Sequence, residues 1–139
     1  MVEMSRLVFD FGLLVVIWMV QLIVYPSFVF YAPKNLLDWH VHYTKIIAGI
    51  VIPLMLGQLT LCIIQVIKTQ SPYTYLSCLL VFFLWALTLL KFAPIHRQIS
   101  KGVVNRALLK KLICYNWIRT IGWTSLCAMS ASKNILLLL

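Results

Sequence analysis

Charge is what this sequence has least of. Charged side chains make up 11% of its 139 residues, against roughly 25% in an ordinary soluble domain. Only Glu3, Asp10 and Asp38 are acidic. Hydrophobic residues reach 63%, more than a core this small can bury, because small domains keep much of their surface exposed. A soluble globular protein is therefore excluded, and lipid is the solvent that suits the composition. Linkers are missing too. No Gly/Ser-rich or Pro-rich stretch divides the chain, and low complexity is confined to the apolar tail from Ile135 to Leu139, so residues 1–139 read as one domain. There is no glycine-rich phosphate loop, no H-E-x-x-H and no G-x-S-x-G. None of the cysteines, Cys62, Cys78, Cys114 and Cys127, belongs to a Cys-x-x-Cys pair. The spacing favours small apolar residues at helix contacts over a metal or redox pair.

What is present is a set of long apolar runs. A helix needs about 20 apolar residues to cross a hydrocarbon core of about 30 Å. Runs at about 7–31, 43–67, 73–92 and 112–131 qualify. In lipid each backbone N–H and C=O must be paired internally, so these runs are expected to be helices; alternation that would suit a β-barrel is absent. The first run is too long for the apolar part of a signal peptide and lacks a small-x-small cleavage site, so it reads as a retained helix. The expected fold is all-α: an integral membrane, antiparallel four-helix bundle with short loops. Pro26 and Pro53 are expected to kink their helices. Gln21, Gln58 and Gln65 are expected to bond across helices.

The net charge of +9 does not point to nucleic acid, because the basic residues sit between apolar runs and form no continuous face. Their placement bears on orientation instead. With four crossings, Arg6, Lys68 and Lys133 share one side. Lys34, Lys45, Lys91, Arg97, Lys101, Arg106, Lys110, Lys111 and Arg119 fall on or toward the other. The richer side is expected to be cytoplasmic, with both termini non-cytoplasmic in the cell membrane. Residues 100–111 mix Val and Leu with basic residues, so they read as a surface segment or the lead into the fourth helix.

The unusual polar residues gather at that basic end. His40, His42, His96, Asp38, Tyr43, Lys45, Tyr25, Tyr31, Asn116 and Arg119 all fall there. Arg119 stands out, since a charge well inside an apolar run costs at least roughly 2.5–3.5 kcal/mol. Helical spacing puts Asn116, Arg119, Thr120 and Trp123 on one inward face. Arg119 then either forms a donor fork for a carboxylate, phenolate, quinone carbonyl or phosphate, or snorkels or pairs with Asp38 as a structural lock. His40 and His42 cannot share a helix face, although His40 is expected to precede the helix in a loop from Pro33 to Asp38. A proton-handling or hydrogen-bonding role for the histidines is favoured over zinc or haem, and no metal or cofactor is expected. Trp39 and Trp117 have the pattern of interfacial aromatics.

Several short motifs resemble the anthrone oxygenase-like family of small four-helix membrane proteins. They are Val20-Gln21-Leu22-Ile23-Val24-Tyr25-Pro26, Pro53-Leu54-Met55, Ala93-Pro94-Ile95-His96 and Asn116-Trp117-Ile118-Arg119-Thr120. The resemblance implies a cofactor-independent oxygenation of an aromatic polyketide by some members. The residues themselves suggest a membrane protein that binds a lipophilic aromatic or quinone-like small molecule near the cytoplasmic face, with oxidation of it left open. Candidate catalytic residues are His42, His96 and Arg119, with Tyr25, Asn116, Trp117 and Thr120 as ligand-binding residues. The alternative is a non-catalytic subunit of a larger membrane complex, for which the aromatic third helix (Phe82, Phe83, Trp85) would supply a surface.

Overall fold

The structure, a computed structural model, describes residues 1–136; the last three residues of the apolar tail lie outside it. Four helical rods account for the described chain. α1 spans Val2–Phe30, α2 Pro33–Thr69, α3 Pro72–Ser100 and α4 Arg106–Leu136. The first three are long and apolar enough to cross a membrane. α4 is not among them, because its inward stripe is itself polar, with Asn116, Arg119, Thr120, Ser130 and Asn134 all buried.

The ends of the rods reflect local chemistry. Pro33 and Pro72 each open a helix, where a missing N–H costs nothing. Ser71 and Thr74 form a reciprocal capping box at the start of α3. The Asn105 side chain accepts from the Leu108 N–H at 2.7 Å at the start of α4. α2 ends at Gln70, whose φ of 42° puts it in the left-handed region.

All four rods extend beyond the apolar runs. α2 begins at Pro33 rather than 43, so His40 sits within a helix and not in a loop. α3 continues past 92 to Ser100, so Ala93-Pro94-Ile95-His96 is helical and ends nothing. Residues 106–111 already belong to α4. Apolar windows miss such ends because their polar side chains turn inward or toward the helix ends.

Two prolines are absorbed by wide turns. Pro in an α-helix clashes with the carbonyl four residues earlier. For Pro26 that residue is Leu22, and for Pro94 it is Leu90. Both lie inside π-helical turns, at Val20–Val24 and Thr88–Phe92. Each wide turn relieves the clash and rotates the next segment of its rod, since one residue corresponds to about 100° of helix rotation. Tyr25 in α1 and His96 in α3 are carried on those rotated segments. Pro53, by contrast, stands in an unbroken α-helix.

α1 packs against α2 and α4, α2 against α3, and α3 against α4, giving a ring of four. Two glycines set close approaches. A Cβ on Gly57 would lie 2.2 Å from the Phe9 ring, and one on Gly122 2.7 Å from Leu84. One apolar cluster gathers around Tyr25, Phe28, Tyr43, Phe92 and Leu112, and another around Leu13, Ile17, Met55, Val81, Trp123 and Leu126.

The inward stripes of α2 and α3 are both interrupted. On α2, burial stops at Tyr43 and resumes at Met55. On α3 it stops at Leu84 and resumes at Phe92. The two gaps border a single cavity.

Candidate functional site

That cavity measures about 290 Å³ and lies where the two apolar clusters meet. α1 contributes Leu13, Ile17, Val20 and Tyr25 to its wall, and α4 contributes Arg119 and Trp123. Ile47, Ala48, Val51 and Ile52 of α2 face Trp85, Thr88 and Leu89 of α3 across the interrupted stripes. Ile52 and Leu89 are exposed on the outer surface as well, so the cavity opens sideways between α2 and α3.

Arg119 is buried at 6% exposure. Its guanidinium lies 4.3 Å from the Phe92 ring centre and 4.9 Å from that of Trp123, a cation held over two aromatic faces. Nη1 donates to the Asn116 side-chain oxygen at 3.3 Å. Nε has no hydrogen-bond partner. Among the described residues the only ion pair is Arg6–Asp10, and Asp38 is exposed; the expected structural lock between Arg119 and Asp38 does not form. Among the described residues this buried cation has no counter-ion, and its idle Nε–H sits beside a mostly apolar space.

A file of hydrogen bonds leads away from the same wall. Tyr25 Oη and His96 Nε2 are 2.9 Å apart, His96 Nδ1 and His40 Nε2 2.8 Å, and His40 Nδ1 and Ser100 Oγ 3.0 Å. The two imidazoles stack at 5.1 Å between ring centres. Tyr25 and His40 are buried, whereas Ser100 is half-buried at the end of α3.

No family model, curated protein or solved structure matches this chain.

Tyr25, His96 and Arg119 line the cavity together. Asn116 and Thr120 are buried behind it: Asn116 donates to Gln21 at 2.9 Å, and the Thr120 hydroxyl donates to the Asn116 carbonyl at 3.0 Å. Asn116 holds Arg119 from behind, and neither residue lines the space. His42 is exposed beside Trp39, two residues and about half a helical turn from His40. Trp117 is also on the outside, edge-on to Trp18 at 5.8 Å. Neither His42 nor Trp117 reaches the cavity. His40 and Tyr43 occupy the places that His42 is expected to serve. Their helical spacing of three residues is the available signal, and an expected helix that starts only at 43, after a loop from Pro33 to Asp38, conceals it.

Taken singly in the sequence, Asp10 is an interruption of an apolar run and Arg6 a loop charge. In the structure both are fully buried. Arg6 Nε lies 3.0 Å from both Asp10 oxygens, Nη1 donates to Gln65 at 3.1 Å and Nη2 to Ser77 at 3.0 Å. Asp10 accepts further bonds from Gln58 at 2.6 Å and from the Ser130 hydroxyl. All four rods meet there. Trp123 connects this network to the cavity, donating to Gln58 at 3.4 Å while its ring lies under Arg119. The signal is the Arg-x-x-x-Asp spacing, which pairs opposite charges on one helix face. No three His, Cys, Asp or Glu side chains among the described residues gather as metal ligands.

Proposed function

We propose that this protein is an antiparallel four-helix membrane bundle that takes a lipophilic, oxygen-bearing aromatic molecule into the cavity beneath Arg119. One observation carries the reading: a buried guanidinium without an acidic partner among the described residues, bordering a mostly apolar cavity with Tyr25, Tyr43 and His96 on its wall. In low dielectric a lone cation attracts a carbonyl oxygen or a phenolate far more strongly than in water. The aromatic walls suit a flat ring system, and the sideways opening suits a ligand delivered from lipid. A molecule of the size of a naphthoquinone fits the volume.

The chemistry open to such a site is cofactor-free oxygenation of a substrate that becomes an electron-rich phenolate or carbanion, in line with the resemblance to anthrone oxygenase-like proteins. Arg119 would hold the negative oxygen. Exposed Phe82 and Phe83 on α3 do not favour the subunit reading, because lipid-facing surfaces are apolar without any protein partner.

Titration with menadione tests the reading. Trp85 and Trp123 line the cavity, so their fluorescence is expected to quench saturably, with one quinone per chain. Quenching that stays linear and matches free tryptophan in the same micelles would remove the pocket. Orientation is tested separately. The bias of basic residues favours both termini on the non-cytoplasmic side, so alkaline phosphatase fused after the last residue should be active. An inactive phosphatase with an active cytoplasmic reporter at the same position would reverse the topology.

A further inference from the structure

We propose that Tyr25, His96, His40 and Ser100 form a proton relay between the cavity and the water at the basic end of the bundle, and that the cavity takes hydroxylated aromatics as their anions. The inference rests on the pocket reading above and adds what the pocket does with a proton.

The geometry has the order that such a relay requires. A neutral imidazole has one N–H and one bare nitrogen. The 2.8 Å contact between His96 and His40 needs a bare nitrogen on one of the two, so they cannot both be protonated. With Tyr25 donating to His96 Nε2, His96 must donate from Nδ1 to His40 Nε2, and His40 from Nδ1 to Ser100. Every donor then meets an acceptor in one direction. At one end Tyr25 and His96 line the cavity. At the other, Ser100 is half-buried beside the exposed Lys101 and Gly102. Both π-helical turns serve this file, since they directly precede the segments that carry Tyr25 and His96.

The step balances. The hydroxyl proton of the bound aromatic passes to the Tyr25 oxygen, the Tyr25 proton to His96 Nε2, the His96 Nδ1 proton to His40 Nε2, and the His40 Nδ1 proton through Ser100 to water. Each O–H or N–H bond broken is matched by one formed. No electrons leave the ligand. The product is an aryl oxide facing Arg119 and one proton in bulk water. Both imidazoles are left in their other tautomer, and dissociation of the ligand as the neutral hydroxyl compound runs the file backward and restores them.

The test uses naphthol and its methyl ether with the whole protein in nanodiscs containing a weakly buffered aqueous pH indicator. Wild type is expected to bind both, to release one proton per naphthol and none with the ether, and to show the naphtholate absorption of the bound ligand. His40→Gln retains a donor and an acceptor but cannot exchange tautomers. It should bind the ether as wild type does and release the naphthol proton about 10²-fold more slowly. His40→Ala should be as slow and be accelerated by added imidazole, a rescue that a merely structural role would not produce. Naphthol bound without proton release, or wild-type release rates in both variants, would overturn the relay while ether binding left the pocket standing. Binding of neither compound would remove the pocket and the relay with it.

Discussion

Asp10→Ala is expected to lower the stability of the folded protein by about 3–5 kcal/mol, the usual effect of stranding one member of a buried ion pair. Arg6 is fully buried, and among the described residues Asp10 is its only charged partner. Removing the carboxylate leaves a guanidinium among apolar helices, with Gln58 and Ser130 losing their acceptor as well. Such a cost approaches the whole stability of many small domains, so the variant should be largely unfolded in sodium dodecyl sulfate mixtures where wild type resists. The paired change Arg6→Met with Asp10→Leu should recover the part of the loss that comes from the stranded charge, because two well-packed apolar side chains often replace a buried ion pair without penalty, while Gln58, Gln65, Ser77 and Ser130 keep the cost of their lost partners. The fraction folded against detergent composition, followed by circular dichroism, checks both. Equal stability of wild type and Asp10→Ala would show that water reaches the pair.

Arg119 is expected to respond in the opposite way. Arg119→Leu removes a buried cation that has no acidic partner among the described residues, so folding should be unchanged or improved. Binding of menadione or naphthol should weaken by about 10- to 100-fold, the worth of a hydrogen bond to a charged group, roughly 1.5–3 kcal/mol. Arg119→Lys retains the charge, loses the planar fork and its stacking on Phe92 and Trp123, and should lose affinity to a smaller extent with little change in folding. Isothermal calorimetry beside the same detergent titration separates the two effects. Unchanged affinity in Arg119→Leu would mean that the guanidinium has no part in the site.

The opposite expectations for these two arginines show where sequence reading succeeds and where it stops. Four apolar runs are enough to expect four helices, because in lipid the backbone has few other ways to pair. The stripe of Asn116, Arg119, Thr120 and Trp123 can be placed inward from helical spacing alone, and all four are buried. The ends of the rods are not legible. A hydropathy window stops where polar residues begin, yet His40, His96 and Ser100 are polar residues within helices. Nor can the π-helical turns be foreseen, since Pro26 reads only as a kink and nothing in the sequence around Pro94 marks a wide turn. Arg6 and Asp10, weighed one at a time, are a loop charge and an interruption. Only their partners on three other rods, Gln65, Ser77 and Ser130, make them a core.

The sideways gap between α2 and α3 has a consequence for how affinity should be expressed. A ligand that reaches the cavity through that gap comes from the hydrocarbon phase, so occupancy depends on its mole fraction in the surrounding lipid. Diluting a suspension with water leaves that fraction nearly unchanged and should leave the ligand bound. Adding empty vesicles or more detergent lowers it and should strip the site. A dissociation constant in moles per litre of water would then vary with lipid content, whereas one expressed per mole of lipid would stay constant.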